Sequence, residues 1–289
     1  MKIVLSPNPY RDRGLRAAQS AERILREAGA QTRICLPFDL DGNSKIELPR
    51  RLKFFDLAQE IVNADLLICF GGDGTILHAA KVANAHQVPI LGVNMGSVGF
   101  MAELEHGELS LLNKVAAGEF SVEERMMLDV TVQRGGRKIY QDIALNDVVI
   151  TKGSIARIIE LTVSADEVLI SDFSGDGIII STPTGSTAYS MSAGGPIVEP
   201  TAENIVVTPI CAHSMSAKSM VLDARRVVTA KMGYMTRKTA YLSADGGKSF
   251  KLSGGDVVRI QRSQQVTRLV HVTGRTFYEV LNHKLGGRS

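Results

Sequence analysis

The segment Gly71-Gly72-Asp73-Gly74-Thr75 most strongly limits how this chain can fold. It separates the apolar run at residues 66–70 from a stretch rich in helix formers that begins at Thr75. This order predicts a glycine-rich loop at the carboxyl end of a buried strand. Glycines allow positive φ and close backbone approach, so consecutive N–H groups can converge on a phosphate that faces the positive end of the helix. We therefore predict that phosphate is bound by Gly71, Gly72, Gly74 and Thr75.

Asp73 lies in the middle of this loop. An anion site gains nothing from a second anion, so this carboxylate is better explained as holding a metal or as orienting a hydroxyl towards the phosphate. Either role indicates phosphoryl transfer. Asp-Gly is also a common hairpin-turn pair. A hairpin, however, needs a second alternating strand, whereas residues 75–81 favour a helix.

Strand-like and helix-like segments alternate along the first third of the chain. The predicted strands are 3–5, 32–36, 66–70 and 88–94, and the predicted helices are 14–29 and one from residue 75. Such alternation predicts a parallel, Rossmann-like sheet covered by helices, with binding loops at the carboxyl ends of its strands. A second glycine-rich loop, at residues 92–100, would let Phe100 lean over a base, although a plain strand-to-helix connection also explains it.

The second half of the chain has a different pattern. Short, often β-branched segments are separated by Gly, Asp or Lys turns, which predicts mostly antiparallel β-structure. The predicted strands are 127–133, 138–150, 157–163, 168–170, 178–181, 205–209, 227–232, 239–242 and 257–261, with helices at 186–193 and 277–284.

Two polar clusters stand out in this β-rich half. Residues 181–192 are crowded with hydroxyl side chains, of which helix capping explains one or two. The rest suit a ligand with ribose hydroxyls and an amide, for which Tyr189 offers a ring face. Asn146 and Asp147 lie between apolar residues and could grip the two adjacent hydroxyls of a ribose. Taken alone, however, Asn-Asp is better explained as a turn.

Composition excludes several classes of protein. The chain has 289 residues, 44% of them hydrophobic, a net charge of +3 and no tryptophan, which predicts a folded protein that does not bind nucleic acid. No apolar run reaches the roughly 20 residues of a membrane span, and the amino terminus resembles a first strand rather than a signal peptide. Three scattered cysteines predict reduced thiols without structural zinc. We expect a cytoplasmic protein with no membrane partner.

Taken together, the glycine-aspartate motif, Asn146-Asp147 and residues 175–198, with Thr187-Ala188-Tyr189 at their centre, resemble the family of ATP- or polyphosphate-dependent NAD kinases. The resemblance covers about residues 66–255. It implies Mg²⁺-dependent, or other divalent metal-dependent, transfer of the ATP γ-phosphoryl group to the adenosine 2′-hydroxyl of NAD, which gives NADP. It also implies an α/β domain at 1–122 to which the tail 268–289 returns, a β-rich NAD-binding domain at 123–267, a ligand cleft between them, and homodimers or homotetramers.

The resemblance further implies roles for single residues. Asp73 matches the aspartate thought to activate the hydroxyl, and it is also a candidate metal ligand. Asn146 and Asp147 match the pair that holds ribose, although the family usually has Glu at position 147. The implied NAD-binding residues are Asp73, Gly74, Phe100 beside adenine, Asn146, Asp147, Asp176 near the nicotinamide, Thr187, Ala188, Tyr189, Ser192, and Asp245 near the diphosphate.

Two alternatives remain open at this point. Lipid kinases of the diacylglycerol type and phosphofructokinases carry similar glycine loops, so a lipid or sugar kinase is one alternative. A dinucleotide-binding regulator without catalysis is the other, although it could dispense with Asp73 and Asn146. The sequence does not decide between ATP, another triphosphate and polyphosphate as donor, or between NAD and NADH as acceptor.

Overall fold

The computed structural model describes residues 1–38, 46, 48–96, 99–155, 157–233 and 238–286. The chain divides into two compact units. Unit 1 comprises Met1–Glu124 and Thr267–Ser289, and unit 2 comprises Arg125–Val266. Within the described residues, no helix is long and apolar enough to cross a membrane.

Unit 1 begins with alternating strands and helices. They are β1 (Lys2–Pro7), α1 (Arg16–Glu27), β2 (Gln31–Cys35), β3 (Phe54–Phe55), α2 (Leu57–Glu60), β4 (Leu66–Gly71), α3 (Asp73–Ala83), β5 (Ile90–Asn94), β6 (Leu104–Glu105) and α4 (Leu112–Ala116). Short 3₁₀ turns lie at Arg13–Leu15, Ile61–Asn63, Asn84–His86 and His106–Leu111. The alternation predicted from the sequence is therefore present.

The strands of unit 1 pair in parallel in the order β3-β2-β1-β4-β5, and β6 adds to β5. Pro7 lies opposite Phe70, and Gly71 lies opposite Asn94. Because parallel strands end at the same edge of a sheet, the segments that follow β1, β4 and β5 are brought together. All six residues of β4 are buried, as expected of a central parallel strand that helices cover on both faces.

Helix α1 is shorter than predicted. The sequence suggested residues 14–29, but the helix starts at Arg16, where both carboxylate oxygens of Asp12 accept the backbone N–H groups of Ala17 and Ala18. It stops at Glu27, and Gly29 follows with a φ of +86°. A buried aspartate before the helix satisfies its free N–H groups, and a left-handed glycine ends it.

Unit 2 is built almost entirely from strands. In chain order the elements are β7 (Ser121–Arg134), β8 (Arg137–Ala144), β9 (Asp147–Lys152), β10 (Ile159–Ala165), β11 (Val168–Gly175), β12 (Gly177–Ser181), α5 (Tyr189–Ser192), β13 (Asn204–Ile210), β14 (Met220–Asp223), β15 (Val228–Met232), β16 (Ala240–Ala244), β17 (Phe250–Leu252) and β18 (Val257–His271). The first residues of β7 and the last of β18 belong to unit 1.

Two antiparallel arrays enclose the core of unit 2. One has the strand order β14-β13-β12-β9-β16-β17; the other has β11-β10-β15-β18, and β7 pairs with both β18 and β8. Inward-facing residues of both arrays, such as Ile150, Ile180, Leu161 and Ile260, form one buried apolar cluster. The predicted β-rich half is thus a β-sandwich.

Several boundaries in unit 2 differ from prediction. The predicted strand 138–150 is interrupted at residues 145–146, and two short strands, β14 and β17, were missed. The predicted helix 186–193 is a 3₁₀ turn, Thr184–Thr187, followed by the four-residue α5. Ser186 and Thr187 donate their hydroxyls to the carbonyls of Pro183 and Thr184, and such side-chain bonds compete with a regular helix.

After β18 the chain ends in α6 (Phe277–Leu285), close to the predicted helix at 277–284. Glu103 anchors the connection between them. Its carboxylate accepts hydrogen bonds from His271 Nδ1 at 2.8 Å and from the backbone N–H groups of Val272 at 2.7 Å and Thr273 at 2.6 Å. All of these residues belong to unit 1.

The three cysteines are unpaired. Cys35 and Cys69 are buried, and burial raises the pKa of each thiol to about 12, whereas Cys211 is exposed. Reduced thiols were the prediction. The two buried thiols are poor nucleophiles because they remain protonated.

Candidate functional site

The glycine-aspartate loop (residues 71–75) joins β4 to α3 as predicted, but it is tighter than expected. Helix α3 starts at Asp73 rather than Thr75, with Gly72 as its N-cap. None of the three glycines has a positive φ. Instead, Gly71 allows close approach, because a Cβ there would lie 2.1 Å from Thr75 Oγ1. The first N–H groups of this eleven-residue helix lack acceptors within the helix, which is the requirement for an anion site.

Asp73 is held by the second glycine-rich loop. Its Oδ2 accepts the backbone N–H of Phe100 at 2.8 Å, and its Oδ1 accepts that of Met101 at 3.1 Å. Gly99 makes this contact possible, since a Cβ there would lie 2.2 Å from Asp73 Oδ1. A carboxylate can accept about four hydrogen bonds, so each oxygen keeps capacity for one more donor. The structure therefore brings the two predicted loops together around one fixed acid.

Phe100 is covered on one side by the end of the chain. Its ring centroid lies 6.4 Å from that of Phe277, and Lys284 Nζ lies 3.9 Å from it. The predicted contact with a base must therefore use the remaining ring face or edge. No local sequence pattern indicated this neighbour, because more than 170 residues separate Phe100 from α6.

Asn8 is a second residue that sequence reasoning missed. It follows β1, at the same sheet edge as the glycine-aspartate loop, and its Nδ2 donates to Thr75 Oγ1 at 3.3 Å. Its backbone N–H donates to the carbonyl of Phe70 at 2.9 Å. The sequence feature that could have identified Asn8 is its position in a short polar segment that follows a predicted strand of a parallel sheet.

In unit 2, Asn146 and Asp147 form a turn that Asp245 clamps. The Asp245 carboxylate accepts the backbone N–H groups of Leu145, Asn146 and Asp147 at 2.8, 2.7 and 3.1 Å. This clamp is the physical reason why the predicted strand 138–150 breaks at this point. Asp245 was predicted near a diphosphate; in the structure it supports the Asn-Asp pair.

The side chain of Asn146 has a buried hydrogen-bond acceptor with no partner among the described residues. The residue is only 8% exposed, and its Oδ1 is buried without a hydrogen-bond partner among the described residues. A buried acceptor left unpaired costs on the order of 1–3 kcal/mol. Such atoms are rare in folded proteins unless a ligand or water supplies the donor. The turn interpretation is thus correct for the backbone, while the side chain is available for a ligand.

Asp147 is also buried, with 6% of its surface exposed. Burial, and then the negative charge of Asp245, raise the pKa of Asp147 to about 7. Its Cα pairs with that of Ser181 across β9 and β12. This carboxyl therefore changes charge near neutral pH, at the position where the family usually has Glu.

Most hydroxyls of residues 181–192 bond within the protein. Ser181 and Thr182 donate to backbone carbonyls, as do Ser186 and Thr187, and Ser190 pairs with Thr208 at 2.9 Å. These hydrogen bonds hold the segment in its conformation, and ligand binding by its hydroxyls stays a prediction. The segment does reach the Asn-Asp turn, because Thr182 Oγ1 donates to the carbonyl of Leu145 at 2.5 Å.

The remaining predicted residues of unit 2 lie in two places. Tyr189 is 45% exposed and Ser192 is also exposed, while Ala188 between the 3₁₀ turn and α5 is half-buried. Asp176 lies at the start of β12, with its carboxylate 2.6 Å from Lys152 Nζ. Asp147 pairs with the other end of β12. At about 3.3 Å per residue, this strand separates Asp176 from Asp147 by about 17 Å.

The donor set for a metal is small. Among the described residues, no group of three or more His, Cys, Asp or Glu side chains could hold an ion. Mg²⁺ usually binds through one or two carboxylates, waters and substrate phosphates rather than in an all-protein cage. Asp73 is the carboxylate at the glycine-aspartate loop.

A parallel sheet with an anion loop, joined in one chain to a β-sandwich with a buried polar pair, defines a two-unit nucleotide-binding protein. Two family models match this chain, the ATP-NAD kinase N-terminal domain over residues 39–120 and the ATP-NAD kinase C-terminal domain over residues 145–272. The chain belongs to the NAD kinase family.

Individual relatives agree with this assignment. An NAD kinase from Symbiobacterium thermophilum is 47% identical over 224 residues, covering 77% of this chain and 79% of the relative. Another, from Ruminiclostridium cellulolyticum, is 35% identical over 289 residues, covering 98% and 97%. The family resemblance seen in the sequence is therefore confirmed.

Solved structures of similar fold are also NAD(H) kinases. Yeast NADH kinase complexed with NADH has a TM-score of 0.84 at 26% identity, covering 100% of this chain and 88% of that one. An NAD kinase from Archaeoglobus fulgidus in complex with ATP has a TM-score of 0.75 and covers 100% of both chains. At 23% identity, this second likeness shows the fold alone. The predicted combination of an α/β unit and a β-rich unit is confirmed.

Proposed function

We propose that this protein is an NAD kinase, which transfers the γ-phosphoryl group of ATP to the adenosine 2′-hydroxyl of NAD and so produces NADP and ADP. Relatives that are 47% and 35% identical carry the name NAD kinase. The solved structure that is 26% identical to this chain is a yeast NADH kinase complexed with NADH. Each unit contributes its own part of the chemistry, the phosphate loop in unit 1 and the dinucleotide pocket in unit 2.

The observation that carries the choice of acceptor is the unpaired Oδ1 of Asn146. Glycine loops of this kind also serve lipid and sugar kinases, so the loop does not distinguish among them. A buried amide acceptor beside a buried carboxyl, both fixed by Asp245, is suited to the neighbouring hydroxyls of a ribose. Thr187, Ala188, Tyr189 and Ser192 then line the rest of the dinucleotide pocket, and Asp176 serves its nicotinamide end.

The role of Asp73 follows from its geometry. A ribose hydroxyl is a far weaker acid than a carboxylic acid, so this carboxylate cannot deprotonate it in the ground state. The two backbone N–H groups that bind Asp73 fix its orientation, and its free lone pairs can accept the hydroxyl proton. Asp73 aims the oxygen and takes the proton late, as the bond to phosphorus forms, an effect typically worth about 10²- to 10⁴-fold.

Mg²⁺ supplies charge neutralisation of the donor phosphates when it is bound. We place Asp73 beside it, because this is the carboxylate of the glycine-aspartate loop. Backbone N–H groups at the start of α3, from Gly72 to Gly74, hold the phosphates, while the N–H of Thr75 bonds the carbonyl of Gly72 at 2.9 Å. On the strength of the family resemblance, we further propose a homodimer or homotetramer that acts in the cytoplasm.

The direct test is product formation. Purified protein is incubated with Mg²⁺, ATP and NAD, and NADP is measured with an NADP-specific dehydrogenase; we expect NADP in stoichiometry with ADP. Parallel reactions replace NAD with diacylglycerol or with fructose 6-phosphate. A phosphorylated product in either of those reactions, with none from NAD, would refute the proposal. Substituting NADH, another triphosphate or polyphosphate in further reactions determines the range of acceptors and donors.

The role of Asn146 is tested separately. Asn146→Ala removes the buried amide, and we expect the KM for NAD to rise about ten-fold or more, since one lost hydrogen bond in a buried site is worth about 1–3 kcal/mol. Asn204→Ala is the matched control, an amide of unit 2 that bonds the carbonyl of Leu222. An unchanged KM for NAD in Asn146→Ala would remove this residue from the acceptor site.

A further inference from the structure

Helix α6 is fixed at its start rather than frayed. Thr276 and Glu279 form a capping box, in which Thr276 Oγ1 accepts the N–H of Glu279 at 3.3 Å and the Glu279 carboxylate accepts the N–H of Thr276 at 2.7 Å. The preceding residues are anchored on Glu103. A helix held in this way can present a side chain at a defined place.

One face of α6 is directed at Phe100. Phe277 and Lys284 are seven residues apart, which is two helical turns, so they lie on the same face. The ring of Phe277 packs near Phe100, and Lys284 Nζ sits 3.9 Å from the Phe100 ring centroid. This distance is within the range of a cation–π contact.

Phe100 connects Lys284 with Asp73. The backbone N–H of Phe100 donates to Asp73, and the Asp73 charge acts on Lys284. Burial nevertheless lowers the pKa of Lys284 below its usual range. Among the residues that the structure describes, the ammonium forms neither an ion pair nor a hydrogen bond. Its contact with the Phe100 ring replaces only part of the hydration that it loses on burial.

An ammonium group is a phosphate ligand. It carries three donors on a flexible four-carbon stem, so it can leave a ring face and reach an anion nearby. Space for that anion exists at the glycine-aspartate loop, since a Cβ added at Gly72 or Gly74 would meet no atom within 4 Å. Partial burial removes water from the lysine ammonium and disfavours its charged form, and a substrate phosphate would compensate that cost with a charge-assisted hydrogen bond.

Building on the proposed function, we infer that Lys284 binds a substrate phosphate at the glycine-aspartate loop, and that this phosphate belongs to the donor nucleotide. The chemistry alone would also fit the diphosphate of NAD. The donor is favoured because Lys284 contacts Phe100, whose backbone N–H donates to Asp73, where the transferred group must arrive. Helix α6 thus carries a positively charged side chain, Lys284, that positions the donor phosphate for transfer.

The test compares Lys284→Met, which keeps the apolar stem without the charge, with Lys284→Arg, which keeps the charge. Initial rates are measured while ATP is varied at saturating NAD, and then while NAD is varied at saturating ATP. For Lys284→Met we expect the KM for ATP to rise about ten-fold to a hundred-fold, as for loss of one charge-assisted hydrogen bond, with the KM for NAD within about two-fold. Lys284→Arg should recover most of the ATP affinity.

Controls separate charge from packing. Lys114→Met removes an exposed lysine of α4 in the same unit and should leave both KM values unchanged. Melting temperatures of all variants establish that they are folded, and calorimetric titration with Mg²⁺-ATP measures donor binding without turnover. Lys284→Gln replaces Lys284→Met if the latter does not fold.

The outcomes are distinct. Equal ATP binding by Lys284→Met and wild type would refute the inference, and so would an arginine variant as weak as the methionine variant. A rise confined to the KM for NAD would refute the assignment to the donor. Failure of the wild-type protein to phosphorylate NAD would instead refute the proposed function, while the titration with Mg²⁺-ATP would still test Lys284.

Discussion

Raising the pH should weaken the attachment of the chain's last residues to the rest of unit 1. His271 Nδ1 lies 2.8 Å from Glu103 Oε2, and its Nε2 lies 3.9 Å from Glu123 Oε1. The hydrogen bond to Glu103 and the nearby negative charge of Glu123 raise the pKa of His271 to about 9, against the opposing effect of burial. Burial disfavours the Glu103 anion, but hydrogen bonds from His271, Thr273 and Val272 outweigh it and lower the pKa of Glu103 to about 2.

The sign and size of the effect follow from linkage. A histidine with a higher pKa in the folded chain stabilises it while protonated, so its contribution is complete below about pH 6.5 and is lost as the pH rises through about 9. The difference between these two pKa values corresponds to about 3 kcal/mol, of which about 2 kcal/mol disappears between about pH 7.5 and 10. Asp147, with a pKa of about 7, is already ionised in this range.

The assay is urea unfolding followed by circular dichroism at several pH values between about 7.5 and 10. The comparison variant is His271→Gln, whose neutral amide can still donate to Glu103. We expect the free energy of unfolding of the wild type to fall by about 2 kcal/mol across this range, and that of the variant to fall much less. Parallel curves for the two proteins would show that the His271–Glu103 pair does not carry this charge-dependent stability.

Three further predictions concern the site. Asp73→Asn should lower kcat at least about 100-fold while the KM for NAD changes only a few-fold, as steady-state kinetics will show; near-normal turnover would remove Asp73 from the chemistry. Affinity for NAD, measured by titration calorimetry, should increase as the pH rises through about 7, because the ionised Asp147 carboxylate is the stronger acceptor for a ribose hydroxyl, and Asp147→Asn should abolish this dependence. Gly99→Ala should displace Asp73 and lower kcat/KM about ten-fold or more, as overpacking of about 1–3 kcal/mol implies, whereas Gly107→Ala, with open space at its Cβ, should not.

Features that are contiguous in the chain were the ones predicted well. The buried strand, the glycine-aspartate loop and the following helix lie next to one another in sequence, so composition and spacing located them within two residues. The predicted helix at 186–193 was wrong for a local reason, since hydroxyl side chains that bond nearby carbonyls favour a 3₁₀ turn over a regular helix.

The sequence patterns did not identify Asn8 and Lys284, because the positions of these residues depend on tertiary structure. The parallel register of β1 and β4 places Asn8 at the loop, and the anchored α6 places Lys284 over Phe100. The spacing of residues along the chain predicts neither contact. The orphaned Oδ1 of Asn146 was equally hidden, because burial of one atom is a property of the folded environment.

The clamp by Asp245 also has a consequence for biosynthesis. Its bond to the N–H of Leu145 joins residues 100 positions apart. The ribosome synthesises the chain from its amino end. The turn at Asn146 can therefore reach its final conformation only after most of unit 2 has been translated. Nascent chains that stop short of Asp245 should carry an intact glycine-aspartate motif and yet lack the ordered turn at Asn146 and Asp147.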